Sequence, residues 1–238
     1  MWMKPKITFS AQKDVLHAAP HPRAAVKFMP KWIREIDRNL PERQLSIKAC
    51  LPVIEAVANG YVIPLWADLR ITLSEHNGGV HLYAEFPSII SRPDDYDGMV
   101  ASHTWEQVGD SSPFVDMSLH QVPMKLTNPW DIKTPKGYSV LIKSPPYGDH
   151  HLHVLEGIVD TDTFNIGINL PFVWTGRELG EWVIPKGTPI AQVIPFKRTQ
   201  TTLEVCATDE VARERQVLNL RSVFKDGYRS MFWHKRRK

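Results

Sequence analysis

The sequence predicts a mainly β fold, with an N-terminal arm before the β-rich part and a helical extension after it. Nineteen prolines and 13 glycines are spread along the 238 residues, which favours short strands and many turns over long helices. From Tyr61 onward, apolar and polar residues alternate with the period of two that is typical of strands. Hydrophobic residues make up 42% of the chain, so a substantial core is expected. We place this core at residues 60–198.

Residues 1–59 are predicted to form the arm with short helices. A short strand is expected at residues 6–10, and an amphipathic helical segment at residues 31–36. Residues 46–58 have apolar side chains at helical spacing, with Pro52 near the start, where proline is tolerated. Gly60 suits the position just past the end of this helix.

The predicted core begins with strands at residues 61–65 and 68–73. The turn Asn77-Gly78-Gly79 is typical of a hairpin and is answered by a strand at residues 80–86. Residues 87–125 are a polar insertion with little core of its own. Strands are expected again from Leu126 to Phe196, separated at Pro129 and at two Pro-Lys-Gly turns. Residues 199–238 form the extension, with a helix expected at residues 209–220.

Charge is concentrated at the C-terminus. The net charge is +3, but residues 225–238 hold six Lys or Arg and one Asp, so the rest of the chain is slightly acidic. The basic tail consists of Lys235, Arg236, Arg237 and Lys238. Basic residues beside aromatic ones suit contact with nucleic-acid phosphates and bases, which makes this tail a candidate nucleic-acid contact; a solvated terminus is the alternative.

Several classes of protein are excluded by simple features. Cys50 and Cys206 fit neither a metal-ligand spacing nor a disulfide framework. The first ten residues lack the apolar segment of a signal peptide. The longest apolar region, residues 49–69, is interrupted by prolines and acidic residues and is not expected to span a membrane. A protein that is neither secreted nor membrane-embedded is expected.

Four motifs occur in a fixed order along the predicted core. They are Trp66-Ala67-Asp68-Leu69-Arg70, Pro135-Lys136-Gly137-Tyr138 leading to Ser144, Gly157-Ile158-Val159-Asp160-Thr161-Asp162, and Gly187-Thr188-Pro189-Ile190-Ala191-Gln192-Val193. Together they resemble the core motifs of dUTPase-type β-clip proteins. The resemblance implies a β-clip core and a nucleotide site at Asp68, Ser144, Asp160 and Gln192, with Mg²⁺ near Asp68.

The same motifs depart from the dUTPase pattern at the positions that carry its catalytic and substrate-binding groups. The phosphate-contacting loop, which bears an Arg in that family, is Lys143-Ser144-Pro145-Pro146 here, and Thr163-Phe164 replaces the family's Tyr. The family's Gly-rich lid has no counterpart, since residues 199–238 contain one glycine, Gly227. Phosphoryl chemistry needs oriented donors around the phosphates, so dUTP hydrolysis is not expected. Asp160 is expected to be structural, its carboxylate accepting backbone N–H groups of the following turn.

The whole chain also resembles a family of uncharacterised proteins of tailed phages, many of them marine. The residues that carry this resemblance include Lys27-Phe28-Met29-Pro30-Lys31-Trp32, Gly60-Tyr61-Val62-Ile63-Pro64-Leu65 and Asn128-Pro129-Trp130-Asp131-Ile132. It implies a viral origin and a location in the infected cell's cytoplasm or in the virion. The resemblance to β-clip proteins implies a homo-oligomer, most simply a trimer. An excess of large apolar residues also favours self-association: Phe172, Trp174, Trp182, Phe196 and Trp233. Other phage proteins are expected as partners.

A histidine cluster offers a metal-binding alternative. His151 and His153 fall on one face of a strand, with Glu156 close behind. The pattern resembles the first metal motif of cupins, and His103 or His120 would supply a third ligand. The opposing interpretation is a solvated loop edge.

Three functions therefore remain open at the level of sequence. The favoured one is a non-enzymatic phage protein, a structural or assembly component built on an oligomeric β-clip and needing no cofactor. The alternatives are a nucleotide-binding β-clip without hydrolysis and a metal-dependent cupin-like enzyme.

Overall fold

The computed structural model describes residues 5–87, 100–108, 113, 117–120, 122–164, 166–222 and 227–234. The chain divides into two compact units, residues 1–198 and residues 199–238. Most of the predicted insertion between residues 88 and 121 and the basic tail from Lys235 to Lys238 lie outside the described residues. The predicted domain boundary between residues 59 and 60 stays a prediction.

The first unit is built mainly from strands. In chain order they are β1 (Thr8–Ser10), β2 (Arg23–Ala24), β3 (Tyr61–Pro64), β4 (Leu69–His76), β5 (Gly79–Glu85), β6 (Val100–Ser102), β7 (Met124–Lys133), β8 (Tyr138–Lys143), β9 (Leu152–Val154), β10 (Gly157–Val159), β11 (Gly167–Trp174), β12 (Gly180–Ile184) and β13 (Pro189–Lys197).

The helices in the described part of the chain are short. They are α1 (Lys13–Ala18), α2 (Lys31–Glu35), α3 (Leu51–Ala58), α4 (Trp105–Val108), α5 (Glu210–Ser222) and α6 (Gly227–Met231). Three 3₁₀ turns lie at Ala25–Phe28, Pro41–Arg43 and Ile47–Ala49. The predicted helix at residues 46–58 is therefore divided, and α3 begins at Leu51 with Pro52 in its first turn. The helix expected at residues 209–220 is α5, which begins after Asp209, whose carboxylate accepts the Ala212 N–H at 3.0 Å.

The strands form three antiparallel sheets. One has the order β1-β7-β11-β9, with β6 also paired to β7; the second has the order β10-β8-β13-β3-β2; the third is β12-β4-β5. Strands β1 and β2 from the N-terminal arm thus complete two of the sheets. The mainly β class predicted from the sequence is confirmed.

All three sheets contribute to one core. Leu126 and Phe172 of the first sheet, Val193 of the second and Ile71 of the third are fully buried in the same cluster. This cluster also contains Trp66, Trp130 and Trp174. Phe172 and Trp174, which the sequence analysis assigned to surface that a monomer would struggle to bury, are core residues of the single chain. That part of the argument for an oligomer is wrong, because these side chains alternate onto the inner face of β11.

The hairpin predicted at Asn77-Gly78-Gly79 is confirmed, and β5 pairs with β4 along the whole length of β5. Asn77 and Gly78 both have positive φ, 51° and 78°. These are the angles of a type I′ turn, which matches the twist of the two strands it joins.

Pro129 does not separate two strands, as the sequence predicted, but lies inside β7. The register between β7 and β11 shifts from Asp131↔Gly167 to Thr127↔Asn169, so β7 holds two more residues than β11 there. Asn128 stabilises this bulge, since its side chain donates to the Trp130 carbonyl at 2.7 Å and accepts from the Trp130 N–H at 3.1 Å. A bulge tolerates proline within a sheet, which is why the strand continues.

Candidate functional site

The Asp160 region is a hydrogen-bonded ion cluster at one end of β8 and β13. Ser139 Oγ donates to Asp160 Oδ1 at 2.6 Å. The Arg198 guanidinium donates to Ser139 Oγ at 3.0 Å and lies 3.0 Å from Asp160 Oδ1. The Asp160 carboxylate is therefore engaged, but not by the backbone N–H groups of the following turn, as the sequence predicted. Its partners are side chains, whereas the turn's Thr163 and Phe164 N–H groups donate to the Asp160 backbone carbonyl.

Asp162 is the more deeply placed acid of this cluster. Its side chain is 4% exposed, against 60% for Asp160. Arg198 binds it in a two-pronged ion pair, with Nη1 2.9 Å from Oδ1 and Nη2 2.5 Å from Oδ2, and the Gly137 N–H donates to Oδ2 at 2.8 Å. The Arg198 hydrogen bonds, followed by the Gly137 N–H, lower the pKa of Asp162 to about 2. Sequence reasoning did not predict the ion pair of Asp162 and Arg198, although Asp162 belongs to one of the motifs that resemble dUTPases.

The other three residues of the predicted nucleotide site are engaged elsewhere in the fold. Asp68 Oδ1 accepts the Lys186 N–H at 2.7 Å and so holds the turn before β13. Ser144 Oγ accepts the Val154 N–H at 2.7 Å and donates to the Val154 carbonyl at 3.4 Å. Each of these contacts joins two chain segments.

Gln192 is fully buried on β13. Its Nε2 donates to the Asn59 carbonyl at 2.7 Å and to the Ala56 carbonyl at 2.9 Å. These are carbonyls of the last turn of α3, which a helix leaves without an internal partner. Gln192 therefore joins the end of α3 to the second sheet.

The structure does not bring the four predicted residues into one group. Asp160 lies beside Ser139 at the start of β8, whereas Ser144 follows the end of β8 and Gln192 pairs with Lys143 there. At about 3.3 Å per residue, these two ends of β8 are roughly 13–17 Å apart. Asp160 therefore lies apart from Ser144 and Gln192. The nucleotide site stays a prediction.

The histidine cluster lies on and before β9. His153 pairs with Val173 of β11, while the His151 ring makes an edge contact with Trp174, at 5.4 Å between centroids. His150 donates from Nε2 to the Pro189 carbonyl at 2.9 Å. In the part of the chain that the structure describes, no three His, Cys, Asp or Glu side chains form a group that could hold a metal ion. A metal at His151, His153 and Glu156 stays a prediction.

His120 is a core residue. It is buried, and its Nε2 accepts the Trp174 N–H at 3.1 Å. Burial lowers the pKa of His120, because desolvation disfavours the charged imidazolium. The neutral ring thus serves as a hydrogen-bond acceptor inside the core.

Two cavities flank the loop between β8 and β9. The smaller, about 270 Å³, is lined by polar groups that include Lys143, Ser144, His153 and Glu156. It therefore brings Ser144, from the predicted nucleotide site, to the same cavity as two predicted metal ligands.

The larger cavity, about 590 Å³, lies between this loop and the N-terminal arm. Trp32 of α2 and Tyr147 of the loop meet edge to face at its wall, with 6.0 Å between ring centroids and 82° between ring planes. Sequence reasoning missed this cavity because its walls come from segments far apart in the chain. A local signal was the tryptophan next to Lys31 in an amphipathic segment.

No protein-family model and no curated protein sequence matches the chain. Several solved structures are similar to it. A variant dUTPase of phage 80alpha is 13% identical with a TM-score of 0.41, over 89% of this chain and 95% of that one. A variant dUTPase of phage phi11 of S. aureus is 12% identical with a TM-score of 0.40, over 86% and 99%. The native EIAV dUTPase is 10% identical with a TM-score of 0.32, over 63% and 84%.

Likenesses of this degree do not establish a shared activity. Among the described residues, no helix combines the length and the apolar character needed to cross a bilayer.

Proposed function

We propose that this chain is a non-enzymatic phage protein, a structural or assembly component that self-associates through its mainly β core. The observation that supports this most directly is that the motif side chains form hydrogen bonds within the fold. Asp68, Ser144, Asp160 and Gln192 each bond to another part of the fold. These contacts give each of the four side chains a role in holding the fold together.

The chemistry of the phosphate loop supports the absence of hydrolysis. Oriented donors at a developing phosphate charge contribute about 10²–10³ in rate each, and Pro145 and Pro146 stand where the family has such a donor. Arg198, the cation beside Asp160, is occupied by the two carboxylates of its own chain.

Self-association is supported by apolar side chains near an edge strand. β10 lies at the edge of the second sheet, and its Ile158 is exposed. Phe164 and Ile166, just beyond the same segment, are exposed as well. An exposed sheet edge with apolar side chains is a site at which another chain readily pairs.

Two measurements test the proposal. Mass spectrometry of purified virions should detect the chain, and a pyrophosphate-release assay with dUTP and Mg²⁺ should show no turnover. Turnover of about one per second, at the lower end of the rates of ordinary enzymes, would overturn the non-enzymatic assignment. Absence from virions, together with a thermal shift on adding dUTP, would favour a nucleotide-binding protein instead.

A further inference from the structure

We propose that the 590 Å³ cavity between α2 and the β8–β9 loop binds a small aromatic anion, a flat ring that carries a phosphate or carboxylate group. This ligand site goes beyond the proposed function, which needs no small molecule. The volume lies within the range of small-molecule sites, about 300–1,000 Å³.

The ring-binding part of the site is formed by Trp32 and Tyr147. Both side chains remain about half exposed, 45% and 52%, although they contact each other. Since the two rings are nearly perpendicular, the face of one and the edge of the other form a corner. Phe28, Met29 and Pro189 add further apolar lining. A flat ring stacked in this corner would cover aromatic surface that the chain itself leaves open to water.

The backbone is strained at Tyr147, a residue of this aromatic wall. Tyr147 has a positive φ of 60°. The next residue, Gly148, is a glycine, but it is Tyr147 that takes this conformation. A bulky residue in the left-handed region is an outlier, and such outliers cluster at binding and catalytic sites.

The charges around the cavity favour an anion. Lys27, Lys31 and Arg34 line it, against the two acids Glu35 and Asp149. The Lys31 and Glu35 pair is 3.8 Å apart and exposed, so it contributes little and is easily exchanged for a ligand contact. Ammonium and guanidinium groups are the side chains that bind phosphate and carboxylate.

The arm side of the cavity is held in place by contacts to the rest of the unit. Ile33, between the cavity-lining Trp32 and Arg34, is fully buried. Lys48 Nζ donates to the Arg34 carbonyl at 2.7 Å and to the Ile36 carbonyl at 3.2 Å, at the end of α2. The α2 backbone that carries Trp32, Lys31 and Arg34 is thus held in place, which reduces the cost of binding.

Titration calorimetry with three probes separates the two parts of the ligand. 1-Naphthyl phosphate has both the ring and the anion, 1-naphthol has the ring alone, and inorganic phosphate has the anion alone. We expect the first to bind more tightly than either of the others. Its affinity should fall as salt is raised, because salt screens exposed charges.

Variants locate the site. Trp32→Ala should weaken binding of 1-naphthyl phosphate by about five- to a hundredfold, the range measured for loss of one aromatic stacking partner. The double substitution Lys27→Gln with Arg34→Gln should weaken it by at least about twofold and flatten the salt dependence. Tyr83→Ala and Lys186→Gln, exposed residues outside the cavity lining, are matched controls and should leave binding unchanged.

Three outcomes would overturn the proposal. One is no binding at about 10 mM probe, which is weaker than the affinities of ordinary small-molecule sites. A second is equal binding of 1-naphthol or of phosphate alone. The third is binding that Trp32→Ala leaves unchanged in a protein whose circular dichroism spectrum matches that of the wild type. If Trp32→Ala perturbs the fold, Trp32→Phe replaces it and should retain part of the affinity.

Discussion

Arg198 shows how two neighbouring acids of one motif take different roles. It contacts both Asp160 and Asp162, but Asp162 also accepts the Gly137 N–H and is shielded from solvent. Exposed ion pairs contribute little to stability, whereas a shielded acid that has lost its partner leaves donors unsatisfied. Asp162 therefore contributes more to the folded state than Asp160, even though the family motif emphasises the first acid.

At this scale we predict a pH-dependent stability that depends on Asp162. Its folded pKa is about 2, below its ordinary value of 3.8, so its contribution is complete above pH 3.8 and is lost as the pH falls toward 2. Asp162→Asn should lower the melting temperature at pH 7 and flatten the loss of stability between pH 4 and pH 2. Thermal unfolding followed at several pH values measures both effects.

Asp160→Asn is the matched control for this experiment. It removes the more exposed carboxylate of the same cluster and should cause a smaller change in melting temperature at pH 7. An equal or larger effect at Asp160 would show that the exposed acid, and not the shielded one, holds Arg198.

At the scale of elements, the junction between α3 and β3 depends on close backbone contact. Gly60 has φ of 71°, and a Cβ there would lie only 2.2 Å from the Val193 carbonyl oxygen of β13. The glycine thus ends α3, as the sequence predicted, and also lets β3 approach β13. The second reason could not be inferred from local sequence.

We predict that Gly60→Ala destabilises the protein more than Gly137→Ala. Both positions have positive φ, but a Cβ at Gly137 meets nothing within 4 Å. The left-handed conformation alone costs about 1–2 kcal/mol, and each kcal/mol corresponds to about 2–4 °C in a chain of this size. Gly137→Ala should show that loss alone, and Gly60→Ala a larger one because the clash is added. Thermal denaturation of both variants tests this, and equal losses would contradict the close-contact explanation.

At the scale of the whole molecule, the core of residues 1–198 buries Phe172 and Trp174, two of the five aromatic residues that first indicated an oligomer. Exposed apolar residues of this unit include Ile158 of the edge strand β10, and Phe164 and Ile166 just after it. In α5, by contrast, no described side chain is buried. A helix of 13 residues is marginally stable by itself, so a partner surface would stabilise it.

We predict that the protein is a homo-oligomer, most simply a trimer, in solution. Light scattering at micromolar concentration should return a mass of about three times the 27.2 kDa chain. Ile158→Lys should reduce this mass, because a charge on an edge strand opposes pairing. Val183→Lys, which changes an exposed residue of β12 in another sheet, should leave it unchanged. A mass near that of one chain for the wild type would contradict the prediction.

The sequence by itself determined the features that depend on neighbouring residues. Alternation of apolar and polar residues predicted the strands, and the turn residues Asn77 and Gly78 predicted the β4–β5 hairpin, because strand period and turn conformation are local properties. The position of α5 followed from its unbroken charged segment for the same reason. Pro129 is the exception, because a bulge is defined by the register with a partner strand.

Only the tertiary structure decided which side chains meet. Gln192 caps the end of α3, Arg198 pairs with Asp162, and Trp32 contacts Tyr147, and each of these contacts joins segments that are far apart in the chain. Such contacts depend on sheet order and strand register, which local patterns do not specify. For this reason the motif residues could be identified from the sequence, whereas their partners and the aromatic cavity could not be predicted from it.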